Sequence, residues 1–325
     1  MTVHRGILAP TALCAFLVAL GTLPIRAASP QLGAYLPLAF GSVGAAAQSP
    51  SIADCPIYPA DNPWNRDVSA DPVDPQSATY IASIRTGGSF LHPDFGGGGA
   101  YGIPFTVVEQ TQPKVAVSFF YADESDPGPY PIPANAPVEQ GGDRHVLVLQ
   151  KGTCQLYEMF AANYRNPGWQ AQSGAKFDLT SNALRPDSWT SADAAGLPIL
   201  AGLARYDEVA AGEIRHALRF TVNEAQRAWI HPATHYGTQT AITYPPMGLR
   251  LRLKASYDIS GFSGQSQVIL VALKKYGMFV ADRGSSWFIT GASDSRWDDE
   301  DLNQIKRVPG SAFEVVKADT IHYPN

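Results

Sequence analysis

Glycine and proline interrupt this chain so often that long helices have little room. Of 325 residues, 29 are Gly and 26 are Pro, and they cluster at 93–104 and 126–142. Proline removes a backbone donor and fixes φ, so no helix crosses 126–142. The glycines follow no period of three, which excludes a collagen-like helix. Gly96–Gly99 lacks the Lys-Ser/Thr of a phosphate loop. Between the clusters lie short runs rich in β-branched and aromatic residues. They fall at Ile103–Glu109, Lys114–Tyr121, His145–Gln150, Thr153–Ala161, Ala175–Leu179, Ile214–Val222, Gly248–Lys254, Met278–Ala281, Trp287–Thr290 and Phe313–Val316. Such spacing predicts a mainly β protein, an antiparallel sandwich or jelly-roll-like domain with a few peripheral helices. Helices are expected at Gln76–Arg85 and at Gln265–Tyr276, where Gly277 is the stop. A last one runs from the acids Asp298–Asp301 to Lys306-Arg307.

Residues 1–47 read as a secretory signal and spacer, with cleavage near 27 or 47, followed by a single β-rich domain over 48–325. The chain is therefore expected to be secreted or extracytoplasmic, touching a membrane only through an uncleaved N-terminal segment. Removing 1–47 takes away two arginines and no acid, so the formal net charge falls by two from −5. That balance excludes a nucleic-acid binder. Cys14 goes with the signal, leaving Cys55 and Cys154. Two cysteines in an exported chain most simply form one disulfide.

The sharpest site inference comes from the runs flanking Lys151-Gly152. A two-residue turn there sets His145 opposite Glu158, at the end of an otherwise apolar sheet face. His216 heads a similar apolar face with Leu218, Phe220 and Val222. If both strands share one sheet, His145, Glu158 and His216 converge as an acid–base set. A second carboxylate is expected from Asp207, with Glu208 and Asp178 as alternatives. The competing reading is a structural ion pair closing a core. No cofactor is expected. Two His and one Glu also match zinc ligand sets, and His231/His235 form a further pair, so a metal is the alternative.

Trp169, Tyr157, Trp189 and Arg219 are candidates for substrate binding. Rings at the mouth of a sandwich suit stacking on sugars. Arg250, Arg252 and Lys254 alternate with leucines as a basic stripe, either ligand-facing or the wet face of an outer sheet. Thr190 with Asp193 reads as a helix cap, as do the acids at 294–301.

Four runs carry a family resemblance: Gly142–Leu149 (GDRHVLVL), His216–Phe220 (HALRF), Pro245–Arg250 (PPMGLR) and Ala272–Gly277 (ALKKYG). Together they resemble a widespread family of uncharacterised exported bacterial proteins, over about Cys55 to Val316. The resemblance implies export and carries no activity. The residues themselves point to an exported carbohydrate-active enzyme, a hydrolase of an extracellular polysaccharide or other glycan. A polysaccharide lyase and a non-catalytic glycan-binding or envelope protein are the alternatives.

Overall fold

Strand-forming runs become strands close to where the pattern puts them. The computed structural model describes residues 49–86 and 88–324. The expected signal at 1–47 lies outside them. Strand exceeds helix, 28% against 17% of residues, and the fold is mainly β and sandwich-like. Strands are numbered in chain order. A four-stranded sheet has the order β10 (Ser173–Asp178), β7 (Gln155–Phe160), β6 (Val146–Gln150), β4 (Phe105–Val108). A six-stranded sheet runs β15 (Phe313–Val315), β12 (Arg250–Leu253), β13 (Met278–Arg283), β11 (Leu218–Val222), β14 (Phe288–Thr290), β3 (His92–Asp94). A three-stranded sheet runs β5 (Val117–Phe119), β9 (Gly168–Ala171), β8 (Asn163–Arg165), and β1 (Ser51–Ile52) pairs with β2 (Cys55–Pro56). The sheets are mixed rather than purely antiparallel, because β4–β6, β5–β9, β11–β13 and β14–β3 are parallel.

The run Val-Leu-Val-Leu of β6 is apolar at every position, the mark of a strand buried on both faces. Leu147 and Leu149, with Leu156 and Phe177, join the main core shared with the six-stranded sheet. Val146 and Val148, with Tyr157 and Met159, point the other way into a second core. The three-stranded sheet closes that second core through Val117, Phe119, Trp169 and Ala171. Loop 126–142 helps to cover it, with Tyr130 and Ile132 fully buried.

The β6–β7 register differs from the expected one by two residues. Leu147, not His145, stands opposite Glu158, and Leu149 pairs with Leu156. The connection is four residues long, Lys151–Cys154, with positive φ at Gly152 (75°) and Cys154 (50°). Cys154 leaves the ladder and bonds Cys55, with Cα atoms 5.2 Å apart across 99 residues. A two-residue slip preserves faces, so His145 and Glu158 still project to the same side.

Helices are α1 (Ser77–Arg85), α2 (Ile199–Gly202), α3 (Tyr206–Ala210), α4 (Gly264–Lys275) and α5 (Asp299–Leu302). Two of the C-terminal acids are helix caps, whereas Asp294 pairs with Arg296 and Asp299 accepts from the Gly97 amide. Asp298 accepts from the amides of Glu300 and Asp301, and the Asp301 carboxylate accepts from Gln265 and Ser266 at the start of α4. Gly277 ends α4 with φ 69°, where a Cβ would lie 2.2 Å from the Leu251 carbonyl oxygen. The two arginines of the basic stripe face inward, whereas Lys254 is part-exposed and donates to the Ser311 carbonyl. Arg250 and Arg252 are buried, and their guanidinium groups donate to the carbonyls of Pro63, Arg66, Tyr276 and Val68 and to Glu314. They anchor the N-terminal loop to the sheet.

Candidate functional site

The expected triad does not assemble. His216 lies before β11, in the six-stranded sheet's connections, whereas Glu158 is on β7 of the other sheet. His216 is buried; its Nδ1 meets the Ala217 carbonyl at 2.8 Å and its Nε2 meets Glu208 Oε2 at 3.1 Å. Arg205 Nη2 reaches the other Glu208 oxygen at 2.5 Å. Burial alone would raise the Glu208 carboxyl, but His216 and Arg205 hold it below its ordinary value. This is a buried ion-pair cluster at the foot of α3. Asp207, on the same helix, is exposed and approaches only Arg205, at 3.9 Å.

Glu158 is sealed, with 0% relative exposure. Its two oxygens accept from the amides of Ile199 and Leu200, both at 2.9 Å, which are the orphan donors opening α2. Burial pushes its carboxyl up to about 7, although both amides pull it down. Glu158 therefore pins a helix to a sheet. Of the proposed substrate binders, Trp169 and Tyr157 are buried in the second core. Trp189 is half-buried beside the Arg185 guanidinium, 5.6 Å from ring centroid to Cζ. Asp178 is exposed and accepts from Thr180.

His145 and Arg219 do meet, in a different cluster. Arg219 is buried on β11. Its Nε and Nη2 donate to Asp193 Oδ2 at 2.9 and 2.7 Å, and Nη1 donates to Thr290 Oγ1 at 2.8 Å. The same Nη2 lies 3.7 Å from Asp282 Oδ2. A bulge in the β11–β13 ladder creates this approach. It puts Asp282, rather than Ala281, in register with Thr221, two residues on from Arg219. Bulges commonly re-aim a side chain in this way. Asp193 sits in a loop, not at a helix start, and also accepts from the Ala195 amide at 3.0 Å.

His145 donates Nε2–H to the Ala192 carbonyl, 3.1 Å, and its Nδ1 is 2.5 Å from Glu139 Oε2. Burial opposes the imidazolium, but the Glu139 carboxylate outweighs it and raises the His145 pKa. Asp94, at the end of β3, is raised first by burial and then by its neighbours Glu139 and Asp143. Asp282 is pushed up to about 6, first by burial and then by the Asp193 charge, despite Arg219. Its side chain is still 26% exposed.

Five acids, Asp94, Glu139, Asp143, Asp193 and Asp282, thus gather around Arg219 and His145. They line two cavities that share Asp143. One, about 320 Å³, is walled by Asp143, Asp193, Asp282, Tyr121 and Phe160; the other, about 440 Å³, by Asp94, Glu139, Asp143 and Tyr101. Exposed rings stand at the margins, with Tyr101 64% and Tyr121 45% accessible and Phe120 edge-on to Tyr121. Sequence reasoning missed Asp193 as a site residue and missed Asp282 altogether. The one local signal for Asp282 was a lone acid ending the apolar run of β13.

The fold and site define a disulfide-bonded, mainly β protein with an acidic, aromatic-rimmed cleft over a buried Asp–Arg pair. In comparisons with known protein families, curated proteins and solved structures, no family, protein or structure matched the chain. Among the described residues, no helix is long and apolar enough to cross a membrane.

Proposed function

We propose that this chain is an exported glycan hydrolase with Asp282 as its proton donor. The observation that carries the reading is Asp282 itself. It is partly exposed in a cavity, held next to the Asp193–Arg219 pair, and pushed up to about 6. A carboxylic acid that keeps its proton up to about pH 6 beside a second carboxyl group is the arrangement glycoside hydrolysis uses. Asp143, in the wall of the same cavity, is the carboxylate assigned to activate water or attack the sugar. Tyr121 and Tyr101 supply faces for sugar rings. The disulfide agrees with export. An acidic cleft repels uronic acids, so the reading favours neutral or amino sugars over the acidic polymers a lyase would cleave.

The test is a polysaccharide panel scored for new reducing ends and for unsaturated products, with wild type and Asp282→Asn. A general acid contributes about 10²–10⁴-fold, so Asp282→Asn should lose at least about a hundredfold in turnover while melting like wild type. Unsaturated product would point to the lyase instead. The sealed positions of Glu158 and His216 favour a second reading, a non-catalytic glycan-binding protein. Glycan binding without turnover on any polymer would establish that reading and overturn the hydrolase.

A further inference from the structure

We propose that Asp187, His231 and His322 form a binding site for a divalent late transition-metal ion, zinc foremost. Among the described residues their ligating atoms all lie within 4.8 Å of one another. The three come from separate segments: the loop after β10, the loop after β11 and the C-terminal stretch. Two imidazoles and one carboxylate are a nitrogen–oxygen set that suits zinc, whose bonds to such ligands are about 2.0–2.2 Å long. Small side-chain rotations bring the three atoms onto one ion.

The geometry is partly set in advance. The His322 backbone is tied to Trp229 by two hydrogen bonds, 3.0 and 2.8 Å, and its ring stacks on the Trp229 indole at 5.7 Å between centroids. The His231 and His322 rings face each other with centroids 4.3 Å apart. His231 Nε2 lies 2.8 Å from Asp187 Oδ1, so two of the ligand atoms already face each other, and a metal on Nε2 leaves the ring's single N–H on Nδ1. His231 is 38% and Asp187 52% exposed, which leaves an entry path and a coordination position open to water. The site shares no residue with the acidic cleft, so its test is independent of the proposed hydrolase.

The experiment titrates the chelator-treated full chain with Co²⁺ and then Zn²⁺. The expected result is one equivalent bound, tetrahedral-type visible absorption for Co²⁺, and a higher melting temperature with Zn²⁺. Loss of an outer partner of a metal site costs about 10–100-fold in affinity, and a direct ligand counts for at least as much. His322→Ala and Asp187→Ala should therefore each weaken binding by at least about tenfold, while His235→Ala leaves it unchanged. Metal-free melting of each variant checks the fold. For any variant that melts low, Co²⁺-induced shifts of the His231 and His322 ring signals in wild type replace it. The absence of saturable binding, binding that survives His322→Ala, or shifted histidines other than these two would overturn the proposal.

Discussion

Glu158→Gln separates a structural carboxylate from a catalytic one. In the wild type both oxygens accept from the Ile199 and Leu200 amides in a fully buried setting. Glutamine has one oxygen, and its amide nitrogen would face the second N–H. One buried donor then goes unpaired, because a carboxyl oxygen accepts whether or not it is protonated and an amide nitrogen does not. The loss is about 1–3 kcal/mol, or about 2–6 °C in a domain of this size. Scanning calorimetry of the disulfide-intact proteins reads it directly. The pH dependence has a defined sign. The folded carboxyl is pushed up to about 7, above an unfolded value of about 4.3. The folded state therefore holds the proton more tightly. This contribution is complete below about pH 4, falls as pH rises through the interval, and is gone above about 7. Glutamine has no such term, so the stability gap should be larger at pH 5 than at pH 8, by of order 2 kcal/mol. A Glu158→Gln melting temperature within about 1 °C of wild type, or a gap that widens toward alkaline pH, refutes the helix-cap reasoning. So does lost turnover with unchanged stability.

Asp193→Ala leaves the buried Arg219 without the carboxylate oxygen that accepts two of its N–H groups and should cost about 3–5 kcal/mol in urea unfolding; a midpoint unchanged from wild type would refute the pairing as described. In a pH–rate profile, the protonated Asp282 is the active form, so turnover should fall as pH rises above about 6; a rate that climbs through that range would assign Asp282 the role of base instead. Replacing Cys55 and Cys154 together with serine removes a loop of about a hundred residues and should cost about 2–5 kcal/mol, read as a lower melting temperature.

The disulfide partners, the strands other than β1, β2, β3, β8 and β9, the terminating role of Gly277 and the capping by Asp298 and Asp301 were legible in the chain, because each depends on local periodicity or on counting. The pairing of sheets was not. His216 and Glu158 each stand at the end of an apolar alternation, but a period of two says which face a residue takes and not which sheet it joins. The four-residue turn at Lys151–Cys154 moved the hairpin by two places, and no sequence spacing distinguishes that turn from the shorter one. Arg219 was picked out as a ligand contact; its position at the floor of the cleft comes from Asp193, which a loop brings in from 26 residues away.

By itself, then, the sequence determined the class of fold, most of the segments that become strands and the covalent link between Cys55 and Cys154. These rest on short-range terms: proline and glycine breaking helices, β-branched runs preferring extended backbone, and two cysteines with no other partner. The tertiary structure decided the site. Glu158 became a helix cap because α2 presents two unpaired amides to β7, and Asp282 reached Arg219 because a single bulge shifts the β11–β13 register. Both outcomes come from satisfying buried polar groups across elements far apart in the chain. Only the assembled sheets bring those groups within hydrogen-bond reach.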